Sequence, residues 1–137
     1  MTKALHFTLL FAAILAGCES SDSKLVTACA LGSEPIRYQS TLVRVSGEMF
    51  SDGMHSISLF DRACPNESIK VDFNERSEPR SAVDRLNKIF FGGVGHGTDV
   101  IVNATLVGVF LSQSDRLPRD SLVVQQISNL DVRRRKL

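Results

Sequence analysis

Tyr38-Gln39-Ser40-Thr41-Leu42-Val43-Arg44-Val45-Ser46-Gly47-Glu48-Met49-Phe50 is the stretch on which the fold turns. Thr41, Val43, Val45, Gly47 and Met49 fall on one face, and Leu42, Arg44, Ser46, Glu48 and Phe50 on the other. A period of two over that length predicts a long β-strand. Gly47 has no side chain to pack, so inside a strand it marks a bend or bulge where a sheet coils.

Downstream, Ser51-Asp52-Gly53-Met54 reads as a hairpin, Asp-Gly being favoured where both turn residues need positive φ. A second strand is expected over 55–61, with Ile57 and Leu59 inward, Ser56 and Ser58 outward, and Cys64-Pro65-Asn66 closing it. A third, over 68–74, alternates Ile69, Val71 and Phe73 against Lys70, Asp72 and Asn74. The residues 75–80 read as a charged loop. Ser81 then caps a helix, with Asp84 three residues on, an apolar stripe of Val83, Leu86, Ile89 and Phe90, and a stop at Gly92-Gly93. A fourth strand, 99–111, is apolar on nearly both faces, and a fifth, 121–132, follows a polar loop over 112–120. Upstream, 25–31 is apolar before Gly32 and Pro35, and a turn of helix and a strand lead-in are both open.

The order strand, strand, strand, helix, strand, strand makes the chain mainly β. It resembles the oligonucleotide/oligosaccharide-binding (OB) fold, a five-stranded Greek-key barrel with its helix between strands three and four. The same string also permits another small α+β sheet with the helix across one face. One domain is expected over 36–132, preceded by a tether and lead-in over 18–35 and followed by a basic tail over 133–137.

Met1-Thr2-Lys3 precedes an uncharged run from Ala4 to Gly17, which is short of the ~20 residues that a membrane span needs. The run ends in Leu15-Ala16-Gly17-Cys18, which resembles the lipobox of bacterial lipoproteins. The resemblance implies a signal peptide over 1–17, cleavage before Cys18, acylation of that thiol and a lipid anchor in the membrane. Glu19, where retained lipoproteins carry Asp, favours the outer membrane with the domain facing the periplasm. Glu19-Ser20-Ser21-Asp22-Ser23-Lys24 is polar and short, as a tether is. The run from Asp52-Gly53-Met54-His55 to Asp61-Arg62-Ala63-Cys64-Pro65 resembles small bacterial lipoproteins with the same Asp-Gly-x-His and Asp-x-x-Cys-Pro pattern. That resemblance carries no activity with it.

Sixteen basic residues face fifteen acidic ones, and removal of Lys3 with the signal leaves the mature chain neutral. Neutrality, the absence of Trp and a single Tyr remove the electrostatic and stacking case for a nucleic-acid partner. With Cys18 acylated, Cys29 and Cys64 would meet an oxidising compartment, where a disulfide is the economical reading. The alternative, two thiols on a metal, needs further ligands at short spacing, and His55 and His96 lie far apart. The glycines of 92–97 follow a helix and precede a strand, the reverse of a dinucleotide loop. No cofactor is implied. No strand-to-helix nucleophile elbow or acid–base constellation stands out, so the chain is not read as an enzyme.

Asp52 and His55 at the turn, with Arg62 beyond the second strand, form a candidate ligand surface. With Ser56, Ser58, Phe60, Lys70 and Asp72, flanked by Arg116 and Arg119, they fall on the face that OB-fold ligands usually cross. The competing explanation is a tight turn, a strand and a cysteine kept for its disulfide. Arg133-Arg134-Arg135-Lys136 carries four positive charges and is either a contact for anionic lipid headgroups or a frayed, solubilising end. Two functions follow from these features. One is a non-catalytic module holding an envelope protein or glycan; the other is a structural or stress-related envelope protein contacting anionic lipid through its tail.

Overall fold

The structure is a computed structural model that describes residues 22–53, 56–92, 100–116 and 119–134. Its elements are β1 (Lys24–Thr27), α1 (Ala28–Ser33), α2 (Pro35–Tyr38), β2 (Leu42–Ser51), β3 (Ile57–Phe60), β4 (Ser68–Glu78), α3 (Arg80–Phe91), β5 (Val100–Leu111) and β6 (Ser121–Arg134). The chain is mainly β, with one six-stranded mixed sheet and a few helices. Cys18, His55, His96, Arg135 and Lys136 lie outside the described residues.

The expectation of five strands is corrected to six. The sixth, β1, is four residues long with only Val26 buried, too short to show a period. The stretch left open between helix and strand is both. β1 ends at Thr27, whose hydroxyl accepts from the Ala30 amide at 3.0 Å and starts α1. Ala28, Leu31 and Tyr38 are buried with Val26, so this lead-in belongs to the core. Cys29 on α1 is disulfide-bonded to Cys64 in the turn after β3, with 5.7 Å between α-carbons.

β2 is shared by three strands. Along one edge it pairs antiparallel with β5, from Leu42↔Val109 to Met49↔Val102. Along the other it pairs first with β1, over 43–46, and then with β3, over 48–51. Gly47 sits at the changeover, where a β-carbon would lie 2.6 Å from the Phe60 carbonyl oxygen. No side chain fits there between β2 and the incoming β3, while the β2–β5 ladder runs through Gly47 without a register shift. Gly108 marks a second close approach, where a β-carbon would lie 2.3 Å from the Val123 carbonyl oxygen.

β3 continues antiparallel to β4, β4 parallel to β6, and β6 antiparallel to β5, which returns to β2. The Phe110 amide donates to Thr41, Phe110 faces Leu122, Leu122 faces Val71, Val71 faces Ile57, and Ile57 faces Ser51. One circuit of partners thus leads from Thr41 to Ser51, ten residues further along the same segment. Inside lie Val43, Val45, Met49, Leu59, Ile69, Leu106, Phe110, Leu122 and Val124, all at most 2% exposed.

Two expectations about β3 and β4 are corrected. Ser58, expected outward, is 2% exposed and lies beneath Arg119, whose Nη2 donates to its Oγ at 3.4 Å. The charged loop over 75–80 is largely strand. Between Phe73↔Val124 and Glu78↔Gln126, β4 has four residues where β6 has one, and Ser77 holds this bulge. Its buried Oγ donates to the Val124 carbonyl at 2.7 Å and accepts from the Asn74 amide at 2.9 Å. A hydroxyl with both partners satisfied fills a position where the apolar pattern gives no signal.

α3 buries Val83, Leu86 and Phe90 and half-buries Ile89, as its stripe predicts. Its cap differs. The helix starts after Pro79, whose carbonyl accepts from Ala82 and Val83, while Ser81 lies inside the first turn. At the other terminus, Arg133 and Arg134 pair with Ile101 and Val100, so half of the basic run is strand.

Gly47→Ala is expected to lower stability by about 1–3 kcal/mol in urea unfolding, because a backbone carbonyl cannot yield as a side chain does. Ser77→Ala is expected to cost about 1–3 kcal/mol by orphaning the Asn74 amide. Reduction of Cys29–Cys64 is expected to cost about 4 kcal/mol in the chain-entropy description. An unchanged unfolding midpoint for Gly47→Ala would contradict the shared-strand joint.

Candidate ligand groove

The outward faces of β2, β5 and β6 form an open groove of about 650 Å³, with Phe60, Asp61 and Arg62 along one side. Strand pairing builds its floor in rows. Glu48 faces Asn103, and Asn103 faces Asp131; Ser46 faces Thr105. The Ser46 and Thr105 hydroxyls are 2.8 Å apart.

An ion pair flanks each side of Asn103. Arg62 reaches back to Glu48 with two donors, Nε to Oε2 and Nη2 to Oε1, the latter at 2.9 Å. The Glu48 side chain is only 11% exposed, so it is the fixed member, and its hydrogen bond and charge hold the Arg62 guanidinium above its usual pKa. On the other side Arg133 Nε donates to Asp131 Oδ2 at 2.6 Å.

Asn129 enters the groove because β6 bulges. Thr105 faces Ser128 and Asn103 faces Asp131, so Asn129 and Leu130 stand against Ala104 alone. Asn129 has φ 51°, a left-handed conformation that Asn tolerates better than most residues, and its Nδ2 donates to Thr105 Oγ1 at 3.3 Å. A bulge that re-aims one side chain is a common device beside binding sites.

Glu48, Asp61 and Asp131 against Arg62 and Arg133 leave one net negative charge, and two of the carboxylates are already paired with guanidinium groups. The remaining chemistry is amide and hydroxyl, with the Phe60 ring at the edge and packed edge-on against Phe50 at 5.4 Å. Alternating donors and acceptors around an apolar ring suit a neutral ligand rich in hydroxyl groups.

The sequence-predicted residues are divided rather than gathered. Asp52 closes its own turn: its carboxylate accepts from the Ser56 amide at 3.0 Å and from the Ser56 hydroxyl at 3.2 Å. Of Asp52 and Gly53, only Gly53 has positive φ, 77°, and the connection runs over 52–56 instead of making a two-residue turn. Arg62 and Phe60 line the groove. Ser56, Lys70 and Asp72 line a second groove of about 430 Å³ between β4 and α3, where Lys70 and Asp72 pair at 2.9 Å. Arg119 donates to Ser58 and Ser68 at 3.4 and 3.3 Å, and Arg116 is exposed in the loop before it. Asp61 accepts from the Ala63 amide at 2.9 Å, which gives the Asp-x-x-Cys-Pro run a turn-holding role beside the disulfide.

Sequence reasoning missed Ser46, Glu48, Asn103, Thr105, Asn129 and Asp131 as one site. A signal existed in β6, where the inward positions run Leu122, Val124, Ile127, Leu130 and Val132. The period of two slips twice, at Gln125 and at Asn129, where the β5–β6 register shifts. Compared with protein-family models and with curated proteins, the chain matches none.

Asn129→Gly is expected to keep the unfolding midpoint near the parent's, while Asn129→Ala is expected to lose about 1 kcal/mol because φ 51° is costly for a β-carbon. Equal midpoints in urea would contradict a bulge held in that conformation.

Proposed function

We propose that this chain is a lipid-anchored, non-catalytic binding module of the bacterial envelope. In this reading residues 1–17 are removed, Cys18 is acylated, and the domain faces the periplasm from the outer membrane. The lipobox residues motivate the anchor, and the Cys29–Cys64 disulfide is in keeping with an oxidising compartment.

The domain is read as an OB-like barrel to which β1 is an addition. The circuit of pairings through β2, β3, β4, β6 and β5 supports closure, and its ten-residue offset is the stagger that tilted barrel strands require. Counted in chain order without β1, α3 lies between the third and fourth strands, β4 and β5, as in the OB order. An open α+β sheet draws less support, since the β2–β5 ladder leaves those five strands no free pair of edges.

The observation that carries the functional reading is the groove, where amides and hydroxyls lie between two ion pairs that satisfy each other. We assign it a glycan of the envelope. A tail reading, with Arg133 to Lys136 on anionic lipid, draws less support because Arg133 and Arg134 are strand residues and Arg133 is paired with Asp131.

The acylated chain is expected to cosediment with isolated peptidoglycan sacculi, and the Asn103→Ala/Thr105→Val double variant to stay in the supernatant with its unfolding midpoint retained. Truncation after Arg134, which spares the groove's Arg133 and the β6 ladder, leaves cosedimentation in place only if the end of the basic run is dispensable, and its loss there alone would favour the tail. Equal sedimentation of parent and groove variant would contradict the groove. Intact mass of the membrane-extracted protein is expected to fit a chain starting at Cys18 plus acyl groups; an unmodified chain would remove the anchor.

A further inference from the structure

Among the described residues, the two most exposed large apolar side chains are Leu25 and Ile36, at 76% and 86%. A single exposed aliphatic is ordinary. Both belong to elements at one end of the sheet. Leu25 faces Arg44 across the parallel β1–β2 pair, so both project from the outer face. α2, which carries Ile36, is fastened at the start of β2 and the end of β5. There the Ser40 amide donates to Phe110 at 2.8 Å, and the Ser112 amide donates to Gln39 Oε1 at 2.6 Å. The buried Tyr38 ring joins the two elements, with Lys24 Nζ at 5.2 Å and Arg37 Cζ at 5.6 Å from its centroid.

The chain enters the domain at this end. Lys24 lies six positions after Cys18, a reach of at most about 20 Å when extended. We infer that the β1–α2 end rests on the bilayer that holds Cys18. Leu25 and Ile36 enter the boundary between headgroups and acyl chains, and Lys24, Arg37 and Arg44 lie at headgroup level. This inference rests on the anchored reading above.

Apolar contact leads the docking. Asp22 and Glu34 offset two of the three cations, and Arg37 is paired with Glu34 at 2.7 Å. The remaining single positive charge favours an anionic surface weakly and is screened by salt. Docking at this end leaves the far end of the groove clear of the bilayer, while Ser46 stands only two residues along β2 from Arg44. Val107 on β5 faces Arg44, whereas Arg133 faces Ile101, six residues along the same strand, or about 20 Å. The last residues of β6 thus stand more than a Debye length from the docked end.

The test uses the full-length gene product, extracted from membranes, weighed intact and reconstituted in vesicles of phosphatidylethanolamine and phosphatidylglycerol. The chain has no Trp, so Leu25→Trp, Ile36→Trp and Phe50→Trp each carry a lone reporter. Lipids brominated on their acyl chains are expected to quench Leu25→Trp and Ile36→Trp about twofold, with blue-shifted emission that persists in about 0.5 M salt. Phe50→Trp, six residues along β2 from Arg44, is expected to remain unquenched. Absent quenching at 25 and 36, or equal quenching at all three, overturns the inference. A blue shift without quenching, together with a dimer in analytical ultracentrifugation, assigns the surface to a second copy pairing along β1 and also overturns it. A mass without acyl groups counts against the anchor alone. For such a chain, flotation with the vesicles and quenching at 25 and 36 still uphold the docking, and failure to float contradicts it.

Discussion

The approach of the Phe60 carbonyl to Gly47 is the contact on which the rest of the structure depends. β2 gives one edge to β5 without interruption and divides the other between β1 and β3. The division falls at Gly47, where 2.6 Å is left for a β-carbon. A larger residue there separates β3 from β2, and with it the circuit that returns through β4, β6 and β5. On the near side of that division the same edge is taken by β1. Through Cys29–Cys64 the lead-in is then tied to the turn that carries Arg62. Gly47 also faces Ala104, and the backbone at both positions lines the groove. The circuit of strand pairings, the lead-in and the groove share one joint.

Much of this was legible in the sequence because it is written in local periods. The alternation of 41–50 and 68–74, the stripe of α3 and the apolar run of β5 each follow from side chains that choose between core and water. The disulfide was legible because the lipobox reading sets Cys18 aside and leaves two cysteines to pair. β1 was illegible because four residues with one buried side chain carry no period. Ser77 and Ser58 were illegible because hydrogen bonds, not apolarity, bring them inside.

The groove was hidden for another reason. Its residues sit on three strands, with Glu48 beside Asn103 and Asn103 beside Asp131, and pairing alone makes them neighbours. Each looks like an ordinary outward polar residue on its own strand. The two slips in the apolar pattern of β6 were the available clue, since a slip in a strand is a bulge and a bulge re-aims side chains. Conversely, the Asp52 turn and the Asp61 turn attract attention as motif residues, yet their carboxylates are spent on backbone amides. Short motifs here record turn chemistry, while the candidate chemistry lies between strands.

Charge compensation inside the groove bears on the choice of ligand. Glu48 and Asp131 hold Arg62 and Arg133 in place, so the guanidinium groups are oriented donors more than free charges. Each pair cancels its own charge, so a charged ligand gains little net attraction, whereas the guanidinium donors left over can bond to a neutral sugar with the pairs intact. The most direct test of this account is amide chemical-shift mapping of the folded protein during titration with soluble peptidoglycan fragments. The account predicts saturable shifts confined to Ser46, Asn103, Thr105, Asn129 and their strand neighbours. Shifts centred instead on Ser58, Lys70 and Asp72, or none at saturating fragment, would contradict it.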